Sequence, residues 1–218
     1  MLIKAAIFDM DGTLVDSECV SKAAWHRTSE LMGADIPQTM IRSFIGRNAA
    51  SVEGELAEQL GGIDRAHEAF RIHNECFDRL SDTMLALKPS ARESIDDLRS
   101  AGCHIALATS TGRVRALARL ARFELQDAFD SITCGDDGIK NGKPAPDIFL
   151  LAADRLGVEP AACAVVEDSF NGVRAGHAAG MHVFMVPDLL APTDEIAAMC
   201  DAVLPSLAEL PAAVAAVR

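Results

Sequence analysis

The sequence reads IFDMDGTLVDS over Ile7–Ser17, and its first two carboxylates come directly after the apolar run Leu2–Phe8. In an extended chain, successive side chains point to opposite sides, so Asp9 and Asp11 project together while Met10 points the other way. Two carboxylates this close repel each other unless a cation joins them or one of them stays protonated. The segment therefore predicts either a divalent metal site or a nucleophile beside an acid–base group, at the end of a strand.

The rest of the chain divides into a helical block and a stretch in which strands and helices alternate. Between about residues 17 and 85, apolar residues recur at helical spacing and are separated by glycine or proline, which predicts four or so helices and no strand. From Pro89 onward, short apolar runs alternate with helical segments. The predicted strands are 104–108, 131–134, 163–166 and 182–186, and the predicted helices are 91–101, 113–123, 146–156, 173–179 and an Ala-rich segment at the carboxyl end.

This order predicts an α/β fold with one domain inserted into another. Strands that alternate with helices form βαβ units and a parallel sheet covered by helices on both faces. The simplest architecture is a Rossmann-like parallel-sheet core made of residues 1–16 and 86–218, with an all-α insertion at residues 17–85. Because open α/β sheets bind ligands at the carboxyl ends of their strands, we expect the active site at that edge.

The composition limits the partners and the environment of the chain. Half of its 218 residues are apolar, and the net charge of −12 argues against nucleic acid or an anionic membrane as the main partner. No apolar run approaches the roughly 18 residues of a membrane span, and the apolar start before Asp9 is too short for a signal peptide. The six cysteines lack metal-ligand spacing, which is typical of buried thiols in a reducing compartment. We therefore expect a cytoplasmic protein, in which an anionic substrate must meet a local cation or metal.

Polar residues interrupt the chain directly after predicted strands or just before a helix. They are Thr109 and Ser110 after strand 104–108, Lys143 within NGKPAPD at 141–147, and Glu167 and Asp168 after strand 163–166. Each group alone has a simpler explanation, because the hydroxyl pair and the acidic pair could cap helices and the lysine could be a solvated loop residue. Their joint placement at the ends of consecutive strands of one sheet favours a common site.

Four sequence motifs occur one after another along the chain. They are FDMDGTLVDSE at 8–18, ALATS at 106–110, GKPAPD at 142–147 and VVEDSFNGVRAG at 165–176. In these motifs the chain resembles the haloacid dehalogenase superfamily of aspartate-nucleophile phosphohydrolases. It is similar to the subgroup with a small helical cap after the first motif, which includes β-phosphoglucomutase-like proteins and sugar-phosphate phosphatases. The helical block lies where that cap is expected.

The resemblance implies a phosphatase that acts on a small phosphate monoester. Asp9 would attack phosphorus and form an aspartyl-phosphate, and Asp11 would give a proton to the leaving alcohol and later take one from water. Thr109, helped by Ser110, would bind the phosphoryl oxygens. Lys143 would add fixed positive charge near Asp9 and the transition state.

The resemblance also implies Mg²⁺ as the cofactor. This ion prefers hard oxygen ligands and binds through a few carboxylates together with the substrate phosphate. The ligands would be the side chains of Asp9 and Asp168 and the backbone carbonyl of Asp11. Glu167 would be a further ligand or would lie just behind the ligands.

The choice of substrate is expected to come from the helical insertion, because the core motifs handle only the phosphate. The segment FIGRN at 44–48 resembles the cap loop that leans over the active site in relatives, so Arg47 and Asn48 are predicted to contact the rest of the substrate. A solvated residue at a helix start is the alternative interpretation of Arg47. The expected partner is a small phosphorylated metabolite, and the chain is expected to be a monomer or a weak homo-oligomer.

Two other functions stay open beside the phosphatase. The first is a β-phosphoglucomutase-like mutase, although those relatives carry a histidine on the first cap helix where this chain has Ser21, and the nearest imidazole is that of His26. The second is a non-catalytic member that binds a phosphorylated ligand or a protein partner, which the full set of turnover residues disfavours. Asp11 argues against the dehalogenase reaction, which by the family pattern lacks this aspartate.

Overall fold

The computed structural model describes residues 3–44 and 49–217. In this part of the chain six strands form one sheet in the order β3-β2-β1-β4-β5-β6, and every pairing is parallel. The strands are β1 Ala5–Phe8, β2 His104–Thr109, β3 Ser131–Cys134, β4 Cys163–Glu167, β5 His182–Met185 and β6 Ala202–Val203. The predicted α/β fold with a parallel sheet is confirmed. The edge strand β6 was not predicted, because two residues are too short to give a periodic pattern.

Helices connect the strands and fill the block after β1. They are α1 Ser17–Met32, α2 Gln38–Ser43, α3 Ala49–Leu60, α4 Ile63–Met84, α5 Ala91–Ser100, α6 Arg113–Arg122, α7 Asp147–Leu156, α8 Phe170–Ala178, α9 Asp194–Ala197 and α10 Leu210–Ala216. Helix α8 begins before the predicted start at Val173, because the Ser169 hydroxyl accepts a hydrogen bond from the Gly172 amide (3.1 Å) and caps the helix. None of the described helices combines the length and the apolar character needed to cross a bilayer.

The central strand β1 determines where a site can form. All four of its residues are buried, and Ile7 is paired with Ala106 of β2 and with Val165 of β4. Phe149 of α7 and Ala175 of α8 belong to the same apolar cluster as these residues. The strand order reverses between β1 and β4, and open α/β sheets bind ligands in the crevice beyond the carboxyl ends of two such strands.

The described chain separates into two compact units. One unit, called the core unit below, comprises Met1–Val15 and Leu87–Arg218, and the other, the helical unit, comprises Asp16–Ala86. In the core unit, Val15 and Leu87 form an isolated antiparallel bridge. The two segments at which the chain leaves and re-enters this unit therefore lie side by side.

The helical unit has an apolar core of its own. Trp25 of α1 is only 4% exposed, and its ring lies 5.3 Å from the ring of Phe44 and stacks at 4.3 Å on the imidazole of His73 in α4. The two ends of the unit meet, because the Asp16 amide donates a hydrogen bond to the Ala86 carbonyl at 2.9 Å. The unit is thus held together by contacts among its own helices.

Candidate active site

Asp9, Lys143 and Glu167 form a buried ion cluster beyond the ends of β1 and β4. Asp9 directly follows β1, Glu167 is the last residue of β4, and Lys143 lies in the loop before α7. The Lys143 Nζ atom donates to Asp9 Oδ1 at 2.5 Å and to Glu167 Oε1 at 2.6 Å. It also lies 3.3 Å from the Ala108 carbonyl oxygen and 4.8 Å from the centre of the Phe149 ring. The fold thus places one cation between two carboxylates at the edge where the site is expected.

Burial dominates the electrostatics of this cluster. Removal from water raises the pKa of Asp9 to about 8, opposed by the charge of Lys143 and assisted by the negative charges of Glu167 and Asp11. Burial alone would lower the pKa of Lys143, but the attraction of Asp9 and Glu167 outweighs it and raises that pKa above its ordinary value. Lys143 therefore stays charged, and Asp9 is the group whose charge depends on what else binds beside it.

Glu167 has little capacity left to bind a further group. Its Oε1 accepts from Lys143, and its Oε2 accepts from the amides of Asp168 (3.1 Å) and Ser169 (3.0 Å) and from the Ser169 hydroxyl (2.9 Å). The residue is fully buried, and a Cβ atom on Gly172 would lie 1.8 Å from its Cδ atom. We infer that Glu167 is a fixed anion that holds Lys143 in place.

Gly172→Ala is expected to displace the Glu167 side chain and to destabilise the protein. The neighbouring atoms belong to a fully hydrogen-bonded, buried carboxylate, so they cannot move aside cheaply, and overpacking of this kind costs about 1–3 kcal/mol or more. The measurement is the free energy of unfolding in urea. Gly54→Ala in α3 is the matched control, because nothing lies within 4 Å of the added Cβ atom. A Gly172→Ala protein as stable as the wild type would contradict the predicted clash.

The carboxylates of Asp9, Glu167 and Asp168 are close enough to hold a metal ion. One oxygen of each lies within 4.8 Å of the others, and all three residues are buried. Asp168 Oδ1 accepts a hydrogen bond from the Thr13 hydroxyl at 2.9 Å. Gly12 has a φ of +88°, and a Cβ atom there would lie 2.3 Å from Asp168 Oδ2, so this close approach requires glycine. Buried carboxylate oxygens of this kind are ligands that fit Mg²⁺.

The Asp11 carboxylate lies outside that group of described carboxylates and has partners of its own. Its Oδ2 accepts a hydrogen bond from the Thr111 hydroxyl at 2.7 Å and lies 3.5 Å from the Thr109 hydroxyl. Its Oδ1 forms a short ion pair with Arg119 of α6. The Thr109 hydroxyl also accepts a hydrogen bond from the Thr111 amide at 3.1 Å. Asp11 and Thr109, which were predicted to act on the substrate from the ends of β1 and β2, are therefore neighbours.

Two of these contacts do not follow from the motifs. Thr111 and Arg119 lie beyond the ALATS segment, and neither was predicted as a site residue. A signal for Arg119 exists, because it lies next to the buried side of α6, which Ala116 and Leu120 define. Charged residues on the inward stripe of an amphipathic helix are uncommon and usually have a partner.

The remaining predicted residues are not part of this network. Ser110 is exposed, and its side chain makes no hydrogen bond in the described part of the chain, so its contact with phosphate stays a prediction. Arg47 and Asn48 lie outside the described residues. Their contact with the substrate also stays a prediction.

Comparison with known proteins agrees with this fold. The profile of the haloacid dehalogenase-like hydrolase family matches residues 3–180. A phosphorylated carbohydrates phosphatase from Thermotoga maritima is 36% identical over 182 residues, which are 82% of this chain and 82% of that protein. The structure of CbbY from Rhodobacter sphaeroides in complex with phosphate is 30% identical with a TM-score of 0.80, covering 95% of this chain and 96% of that one. A β-phosphoglucomutase structure from Clostridium difficile is 25% identical with a TM-score of 0.79, covering 95% and 93%.

Proposed function

The chain belongs to the haloacid dehalogenase-like hydrolase family, and from that premise we propose that it is a Mg²⁺-dependent phosphatase of a small phosphate monoester, a sugar phosphate or a related metabolite. The observation that supports this most directly is the ion pair between Lys143 and Asp9, which holds one oxygen of a buried carboxylate beyond the carboxyl end of the central strand. A carboxylate held by one oxygen can attack with the other. Asp9 is therefore the proposed nucleophile.

In the proposed first step, Asp9 attacks phosphorus through Oδ2, the oxygen that accepts no hydrogen bond within the described chain. A bond forms between that oxygen and phosphorus, the ester P–O bond breaks, and Asp11 donates a proton to the leaving alkoxide. The product is an aspartyl-phosphate on Asp9. General acid catalysis of this kind contributes about 10²–10⁴-fold to the rate.

In the proposed second step, water hydrolyses the aspartyl-phosphate. Asp11, now a carboxylate, takes a proton from the water as its oxygen attacks phosphorus. The bond between phosphorus and the Asp9 oxygen breaks, inorganic phosphate leaves, and the Asp9 carboxylate is restored. The same residue thus acts as the acid in one half of the reaction and as the base in the other.

The doubly anionic phosphate requires positive charge and hydrogen-bond donors. Lys143 supplies a fixed positive charge, and Thr109, helped by Ser110, is proposed to donate to the phosphoryl oxygens. The side chains of Asp9 and Asp168 and the Asp11 carbonyl are the proposed ligands of Mg²⁺, which adds positive charge at the phosphate when bound. The hydrogen bonds of Glu167 support a role outside the set of Mg²⁺ ligands, in which this carboxylate holds Lys143 in place.

A phosphorylated sugar is the proposed substrate class, and the name of the Thermotoga maritima relative supports it. The helical unit, with Arg47 and Asn48, is proposed to select among phosphate esters, because the core residues described above act on the phosphate alone. The net charge of −12 supports a free metabolite as the partner, without nucleic acid or membrane. We propose that the protein acts in the cytoplasm as a monomer or a weak homo-oligomer.

Phosphate release from a panel of sugar phosphates and other small monoesters tests this function. We expect release from at least one sugar phosphate with Mg²⁺, its loss in EDTA, and its recovery when excess Mg²⁺ is restored. An isomerised sugar phosphate in place of free phosphate, with a bisphosphate activator present, would identify a mutase. If no ester is turned over with Mg²⁺, the proposal is wrong and a ligand-binding role is favoured.

A further inference from the structure

Arg119 is the charged partner of the Asp11 carboxylate. Its Nη1 atom donates to Asp11 Oδ1 and lies 3.4 Å from the Thr111 hydroxyl oxygen. Its side chain is 13% exposed and that of Asp11 is 25% exposed, so solvent screens this ion pair less than the ion pairs on the surface. The contact is therefore strong enough to influence where the Asp11 carboxylate points.

The position of Arg119 on α6 explains how it reaches the end of β1. Side chains on a helix lean toward its amino terminus, and α6 begins just after the residues that follow β2. Arg113 on the same helix pairs with Asp137 at 2.6 Å, and Arg122 is exposed. Arg119, which lies beside the buried residues Ala116 and Leu120, is directed toward Asp11 by its place on the helix.

The contacts of Asp11 fix both of its oxygens. Arg119 holds Oδ1, and Oδ2 faces the hydroxyls of Thr111 and Thr109. A carboxylate held through one oxygen can rotate, whereas one held on both sides presents a defined oxygen in a defined direction. That direction matters, because a proton donor must lie within hydrogen-bond reach of the leaving oxygen and small displacements reduce the rate strongly.

We propose that Arg119 is a positioning residue for Asp11. It holds Oδ1, so the proton that Asp11 gives to the leaving oxygen is carried by Oδ2, which faces the Thr109 hydroxyl where the phosphoryl group is proposed to bind. The inference rests on the proposed function, in which Asp11 protonates the leaving group. Arg119 itself touches neither the phosphorus nor the leaving oxygen in this scheme, and it acts through Asp11.

The dependence of the rate on the leaving group tests this role. Two probe substrates are compared in the presence of Mg²⁺. The leaving group of p-nitrophenyl phosphate departs without a proton, whereas the more basic leaving group of phenyl phosphate needs one. For Arg119→Met we expect kcat with phenyl phosphate to fall about tenfold more than kcat with p-nitrophenyl phosphate, with KM little changed. In an Asp11→Asn background, Arg119→Met is expected to add no further difference between the two esters.

Two further variants separate positioning from general damage. Arg119→Lys keeps a cation and is expected to recover part of the kcat for phenyl phosphate, and it also serves if Arg119→Met does not fold. Arg122→Met changes an exposed arginine of the same helix and is expected to leave the ratio of the two kcat values as in the wild type. Thermal unfolding of each variant shows whether the fold is intact.

The outcomes distinguish this inference from the proposed function. Equal loss on both esters, a change confined to KM, or wild-type values in Arg119→Met would each overturn the positioning role while leaving the phosphatase intact. A difference between the esters that persists unchanged in the Asp11→Asn background would also overturn it. If the wild type hydrolyses neither probe nor any ester of the panel, the proposed function is wrong and the inference is overturned with it.

Discussion

Asp9→Asn is expected to lower kcat for phosphate release by about 10⁴-fold or more, since loss of a nucleophile removes the covalent route altogether. Asparagine has nearly the shape of aspartate, and its amide oxygen can still accept the hydrogen bond that Lys143 donates to Asp9 Oδ1. The amide cannot attack phosphorus. Lys143 keeps Glu167 as a carboxylate partner at 2.6 Å, and burial disfavours the charge of Asp9 and raises its pKa. We therefore expect the free energy of unfolding to stay the same or increase slightly.

The experiment pairs steady-state rates with a trap for the intermediate. Acid quenching of the wild type during turnover of a ³²P-labelled ester should leave label on the protein that hydroxylamine releases, and Asp9→Asn should retain none. Asp127→Asn is the matched control, because it makes the same change at an exposed position. Near-wild-type turnover by Asp9→Asn would show that water attacks phosphorus directly, and the aspartyl-phosphate mechanism would be abandoned.

Lys143→Met is expected to reduce both activity and stability, because it removes a cation that lies between two buried carboxylates. Lys143 contacts Asp9 at 2.5 Å and Glu167 at 2.6 Å, and methionine fills a similar volume without charge. Removal of one partner from a buried ion pair costs about 3–5 kcal/mol. The loss of fixed positive charge near the phosphate should lower kcat by about 10²–10³-fold, as for other preorganised electrostatic groups.

Mg²⁺ offers a second measurement on the same variant. A ligand that binds only the folded state stabilises it by an amount that grows with the logarithm of its affinity. A cation beside two unbalanced carboxylates should bind more tightly than one beside a neutralised pair. We expect added Mg²⁺ to raise the melting temperature of Lys143→Met more than that of the wild type. Lys140→Met, at an exposed lysine near the same loop, should behave like the wild type. A Lys143→Met protein with unchanged stability and no added response to Mg²⁺ would show that the ion cluster does not behave as described.

Most of the sheet was predictable because short apolar runs bounded by turn residues alternate with longer segments of helical periodicity. The strands at 104–108, 131–134 and 163–166 are present within a residue of their expected ends. The first and third are short apolar runs between turn residues, whereas 131–134 alternates polar and apolar residues. The start of α8 was less predictable, because it depends on whether the Ser169 hydroxyl caps the helix. The order of the strands depends on long-range pairing, which periodicity does not report.

The chemistry of the site was predictable only in part. Lys143 and Asp9 are 134 positions apart, and their contact could be expected because both lie in motifs that the predicted fold brings to one edge of the sheet. The hydrogen bonds that saturate Glu167 depend on the turn after β4 and on the space left by Gly172. The contact of Arg119 with Asp11 depends on which side of α6 faces the sheet, and no motif contains it.

The two ends of the helical unit lie together, which makes this unit suitable for replacement by another insert. The Asp16 amide and the Ala86 carbonyl are hydrogen-bonded, so an insert at this point closes its own loop, and a doubling of its length adds only about 0.6 kcal/mol to the cost of closure. The register of β1 with its neighbours is set by pairs such as Ala5 with His104. These pairs do not depend on the length of the insert. Another insert at this point could therefore replace the helical unit, which is proposed to select the ester, and leave the pairing of β1 unchanged.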